Sequence, residues 1–196
     1  MTAGRHPGHL LRAQDRPATP WRNGGGVTRE VAAGPADAGL DEFSWRVSLA
    51  DVAAGGPFSA FPGVDRIITV VDGPGMELTI DGTPHLVDTA YQPFAFSGDA
   101  ATDCRLLGGP LVDFNVMTRR TAATAEVRPT REPFEIAAPA AGGVTLVVVL
   151  SGTATETGSG RTLERFDAVL FDREGQTGAF RVDGVTAVVT VTPAAN

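Results

Sequence analysis

Glycine and proline punctuate this 196-residue chain so evenly that few stretches of ten residues can hold a helical periodicity unbroken. There are 24 Gly and 14 Pro, and inside a helix each Gly costs about 1 kcal/mol and each Pro about 3 kcal/mol relative to Ala. Between the breaks lie short runs of β-branched and aromatic residues: 27–33, 43–50, 65–71, 76–80, 91–96, 111–117, 144–150, 168–171 and 187–192. Turn pairs bound them, among them Asp72-Gly73, Asp81-Gly82, Gly108-Gly109, Ser151-Gly152 and Asp183-Gly184. Many short strands at such spacing predict an all-β barrel or sandwich.

The strand rhythm recurs. Val70-Val71-Asp72-Gly73 returns as Val149-Leu150-Ser151-Gly152, Phe94–Ser97 as Val169–Asp172, and Val112–Val116 as Ala187–Val191, each about 75 to 79 positions later. Three similarities in order predict two modules, residues 10–120 and 135–196, joined near Thr121–Pro139, where three X-Pro pairs interrupt the periodicity. The first module carries the Trp, Arg and Asn side chains that could bind a ligand; the second is rich in Val and Ala and reads as mainly structural.

Five segments in the first 120 residues mix special backbone residues with Trp, Arg or Asn. They are PWRNGGGVTRE (Pro20–Glu30), SWRVSLAD (Ser44–Asp51), GPFSAFPGVDRIITVVDG (Gly56–Gly73), PFAFSGD (Pro93–Asp99) and GGPLVDFNVMTRR (Gly108–Arg120). In this order and spacing the chain resembles the HutD/Ves family over roughly residues 10–130. The resemblance implies a double cupin fold and an association with bacterial histidine utilisation.

Charge and residue usage remove several function classes. A net charge of −7 argues against a duplex-binding face, which must neutralise phosphates. All basic residues are Arg, so Schiff-base lysine chemistry is excluded. Cys104 is the only cysteine, which rules out an internal disulfide and a thiolate metal cage. No apolar run approaches 18 residues and the start lacks an export-signal core, so the expectation is a cytoplasmic protein without a membrane span. The three histidines do not suit a metal site either: His6 and His9 are expected in a mobile tail and His85 stands alone after a proline. No metal and no cofactor are expected.

The best site candidates are Trp21, Asn23, Gly24, Arg66, Asn115 and Arg119. Trp21 can stack on a planar ligand or plug the core. Asn23-Gly24, in a run of three glycines, can bring a polar backbone close to an anion or simply make a turn. Alternation puts Thr28, Glu30 and Ala32 on one strand face, and Ser44, Arg46 and Ser48 on the polar face of the next. Such faces meet solvent or line a barrel lumen. Arg66 shares a face with Ile68 and Val70, so it needs a partner: Asp113, Glu30 or a carboxylate on a ligand. Asp113, Asn115, Met117 and Arg119 alternate onto one face in the same way. Phe58, Phe61, Phe94 and Phe96 read as core or cavity wall, and Cys104 as a small buried residue.

Three functions fit these residues. The leading one is a binding protein for a small anionic metabolite, for which the resemblance suggests urocanate or N-formylglutamate and a regulatory or moderating role. The second is a metal-independent isomerase or lyase with Glu30 or Asp113 as base, where burial must raise a pKa that a nearby Arg lowers. The third is a structural or partner-binding dimer, such as a homodimer, in which the Gly, Trp and Arg motifs define the fold alone.

Overall fold

A computed structural model describes residues 7–195; His6 lies outside them. Strands dominate, and the helical content among the described residues is one 3-10 turn at Ala13–Asp15. The chain divides into two compact units: residues 16–124, and residues from 125 onward together with the segment up to Asp15.

The 16–124 unit holds two antiparallel sheets. Six strands are ordered Thr19–Pro20, Gly26–Gly34, Trp45–Val52, Leu111–Arg119, Val64–Asp72, Phe94–Ser97. Four are ordered Gly56–Pro57, Thr102–Leu106, Met76–Ile80, Thr83–Val87. One apolar core draws on both: Ala50, Val52, Ile68, Val70 and Leu111 from the larger sheet, Met76, Leu78, Val87 and Cys104 from the smaller. The Asp81-Gly82 pair makes the expected two-residue hairpin, with φ of 47° and 81°, as a turn matching strand twist requires. Cys104 is buried as expected, its Sγ 3.6 Å from Met76 Sδ, and burial pushes its thiol up to about 11.

The other unit is built around Val144–Glu156 and Gly178–Pro193, two long strands paired along most of their length. Here the structure corrects the sequence reading. Ser151-Gly152 and Asp183-Gly184 are not strand-ending turns; they lie inside these strands, at a register shift between Val149 and Ser151. Gly152 has φ +68°, and a Cβ there would lie 1.9 Å from the Asp183 carbonyl oxygen. The glycines therefore permit a bulge, which bends a strand without ending it.

Among the strands hidden in the sequence, two matter to this unit's edges. Residues 9–11, expected in a mobile tail, pair with Ala168–Phe171, placing His9 opposite Leu170. Asp167 fastens this segment, accepting from the Ala13 N–H at 2.8 Å and from Arg12 at 2.6 Å. Ala123–Thr130 forms a strand in the expected linker; it lies at the end of the sheet order, where Pro129 is tolerated.

Candidate functional site

The register of the six-stranded sheet assembles the site. Residues directly opposite in an antiparallel ladder point to the same face. Phe96, Arg66, Met117 and Arg46 therefore make one row across four strands. Phe94, Ile68, Asn115, Ser48 and Glu30 make the next, and Val70, Asp113, Ala50 and Thr28 a third. Ala50, Ile68 and Val70 belong to the apolar core, so this is the inner face. A polar band of Arg66, Asn115, Asp113, Ser48 and Arg46 thus adjoins the core of the unit.

The band is buried. Arg66 and Asn115 retain 7% of their exposure, Ser48 3% and Asp113 2%. The Ser44/Arg46/Ser48 strand face, which sequence left open between solvent and lumen, is buried at Ser48, and the opposite face is buried at Val47 and Leu49. The Arg66 Cζ lies 5.0 Å from the ring centroids of Phe58 and Phe96 and 5.7 Å from that of Phe61. These aromatic residues, read from sequence only as core or wall, form a box around the cation.

Three polar atoms in this band lack a partner: Arg66 Nε, Asp113 Oδ1 and Asn115 Oδ1. Among the described residues no carboxylate lies within ion-pair distance of Arg66. Glu30 bonds Arg46 instead, Oε2 accepting from Nε at 2.7 Å. Asp113 interacts with Arg66 only through its field. Burial pushes the Asp113 carboxyl up to about 7, against the pull of Arg66 and of a hydrogen bond from Asn115. Burial likewise lowers Arg66 to about 10; Asp113 opposes this and Arg46 adds to it. An aromatic box contributes about 0.5–2 kcal/mol to a cation, whereas an uncompensated buried charge costs several kcal/mol. The rings do not replace the missing acceptor.

The other predicted residues fall in different places. Trp21 packs against the same core as Phe58 and Phe96, and its indole Nε1 donates to Thr28 Oγ1 at 2.7 Å, which ties it to the third row. Asn23 and Gly24 lie in an exposed turn off the rows: Asn23 Oδ1 accepts from the Gly25 N–H at 3.0 Å, and Gly24 has φ +73°. Arg119 follows Arg66 along the same face but its guanidinium donates to the carbonyls of Phe43 and Asp41, at 3.2 and 2.9 Å. Two readings need correction. Glu30 is exposed rather than partly buried. Ala32 does not continue the Thr28–Glu30 face, because a bulge at Val31 shifts the register and pairs Ala32 with Val47 of the opposite face.

No three His, Cys, Asp or Glu side chains among the described residues gather as metal ligands. His85 packs on Phe94 with ring centroids 5.4 Å apart. A separate concavity of about 310 Å³ lies in the other unit, where Thr145, Val188 and Thr190 meet Glu126, Arg128 and Glu135; it contains none of the predicted site residues.

A family model described as HutD matches residues 13–190 of the chain. Over 108 residues the chain is 50% identical to a 21.2 kDa protein in the hutC 3′ region of Pseudomonas putida, covering 55% of this chain and 56% of that one. The match thus spans little more than half of that relative. Protein Ves of Citrobacter koseri is 38% identical over 135 residues, 67% of this chain and 68% of Ves. The solved structure of HutD from Pseudomonas fluorescens SBW25 superposes with a TM-score of 0.82 at 31% identity, over 95% of this chain and 99% of that one. Solved structures at 12% and 10% identity share the all-β, cupin-like fold and inform the fold alone.

Proposed function

The chain belongs to the HutD family, and on that premise we propose a small-molecule-binding protein associated with histidine utilisation, whose 16–124 unit captures an anionic metabolite on Arg66. One observation carries this reading: a guanidinium 93% buried whose Nε has no acceptor and which no described carboxylate pairs. A ligand carboxylate would supply the missing charge in a planar geometry that suits the guanidinium fork. The box of Phe58, Phe61 and Phe96 would exclude water and strengthen the contact. Trp21 and Asn115 shape the remaining space, while Asn23 and Gly24, in the exposed 23–25 turn, and Arg119, bonded to the 41–43 carbonyls, stand outside it. We read the two units as the two modules of a double cupin, with the second mainly structural.

The ligand candidates are urocanate and N-formylglutamate, both carboxylates, in keeping with a regulatory or moderating role. Calorimetry with each tests the reading. Arg66→Ala should weaken binding by tenfold to a hundredfold, since a charge-assisted contact is worth about 1.5–3 kcal/mol. Unchanged affinity in a folded Arg66→Ala protein rejects the anchor.

A second reading draws on Asp113. A carboxyl held at about 7 is poised for general-base work at neutral pH, which favours Asp113 over the exposed Glu30 in a metal-independent isomerase or lyase. Exchange of ligand protons with deuterated solvent, followed by NMR and lost in Asp113→Asn, would support turnover over simple capture.

A further inference from the structure

The band around Arg66 lacks more than an anion. Beside the unmet donor, Arg66 Nε, stand two unmet acceptors on one strand, Asp113 Oδ1 and Asn115 Oδ1, two residues apart and on the same face. A monocarboxylate bound at Arg66 answers the donor and leaves both acceptors unpaired in a buried site. We infer that the pocket selects ligands that carry a carboxylate together with an N–H or O–H donor, the acid going to Arg66 and the donor to Asp113 and Asn115. The inference rests on the proposed anchoring of an acid at Arg66 and adds the chemistry of the ligand's other end.

The surroundings favour this division of labour. Neighbouring donors are already committed: Trp21 Nε1 to Thr28, Arg46 Nε to Glu30, and Arg119 to the 41–43 carbonyls. None of these bonds reaches the two open acceptors. The residues opposite Asp113 on its two flanking strands are Ala50 and Val70, which offer no side-chain donor. The row of Asn115 is flanked by Ile68 and Ser48, with the Ser48 hydroxyl the one side-chain donor directly opposite. A ligand that brings its own donor satisfies groups that this chain leaves open, and an isostere without one pays a desolvation penalty on both.

Matched acids separate the two halves of the claim. Calorimetry on the full chain at about pH 8, where Asp113 is ionised, would compare trans-urocanate with trans-cinnamate, which keeps the planar acrylate and replaces imidazole by phenyl. N-formyl-L-glutamate would be compared with glutarate, which lacks the formamide N–H. The expected result is a preference of tenfold or more for the N–H-bearing acid in at least one pair, shrinking to threefold or less in Asp113→Leu, or in Asn115→Leu should Asp113→Leu fail to fold. Cinnamate and glutarate binding as tightly as their partners, with affinity still lost in Arg66→Met, overturns the donor requirement and leaves the acid anchor standing. A preference that survives both leucine variants overturns the assignment to Asp113 and Asn115. Failure of all four acids to bind, or affinities that Arg66→Met leaves unchanged, removes the anchor and this inference with it.

Discussion

Arg66 and Phe96 face one another across adjacent antiparallel strands, with the guanidinium carbon 5.0 Å from the ring centroid. The ring holds the cation in place without accepting its hydrogen bonds. This arrangement keeps a buried charge oriented and its Nε without an acceptor.

Replacing Arg66 by Met should therefore stabilise the fold while weakening the proposed anion binding by tenfold or more. Removing one member of a buried ion pair is destabilising, but replacing uncompensated buried ionic groups with well-packed apolar residues is often neutral or stabilising, by up to about 4 kcal/mol. Urea unfolding of the two proteins at pH 7 measures the difference. A marked loss of stability would identify Arg66 as a structural ion and remove the reason for a ligand.

Asp113 should make stability depend on pH with a defined sign. Its folded pKa of about 7 exceeds the ordinary 3.8, so the folded protein holds a proton that the unfolded chain releases between those values. The contribution is full below about pH 4 and is lost as pH rises through 7, at about 1.4 kcal/mol per pH unit at most. Asp113→Asn should remove this slope. Unfolding free energies of both proteins from pH 4 to 8 should diverge in favour of the variant as pH rises; parallel curves would contradict the buried carboxyl.

Asp167→Ala should release the amino-terminal strand. Burial opposes ionisation of Asp167, but bonds from the Ala13 and Glu164 N–H groups and from Arg12 outweigh it and hold the pKa below its ordinary value. Loss of these charge-assisted bonds should cost about 2–3 kcal/mol. Amide exchange should accelerate at residues 9–11 first, and unaltered protection there would refute the tether.

Gly152→Ala should be among the most damaging small substitutions. It forces a side chain into positive φ and onto the Asp183 carbonyl, at a cost of at least about 2 kcal/mol. Gly24→Ala has positive φ but open space around it and should cost less. Thermal melts of the two variants rank them directly.

Much of this protein is written locally. The spacing of Gly and Pro excludes long helices, alternation with period two assigns faces within one strand, and Asp81-Gly82 specifies its own hairpin because both positions tolerate positive φ. Those local rules sufficed to single out Arg66 as an inward-facing charge that shares a face with Ile68 and Val70. They failed where a bulge interrupts alternation, at Val31 and at Ser151-Gly152, since an extra residue changes the face of all that follow. They also could not separate Glu30 from Asp113 as partners of Arg66. That choice depends on which strands pair and in which register, between segments some 40 residues apart in sequence. Only the folded sheet places Asp113 and Asn115 beside Arg66, sends Glu30 to Arg46, and brings Phe58 and Phe61 from a connecting segment onto the guanidinium. The period of a strand is a property of its own backbone, whereas register and burial are set by the non-local packing of the sheets, which decides whether a charge finds its partner within the chain or must await one from outside.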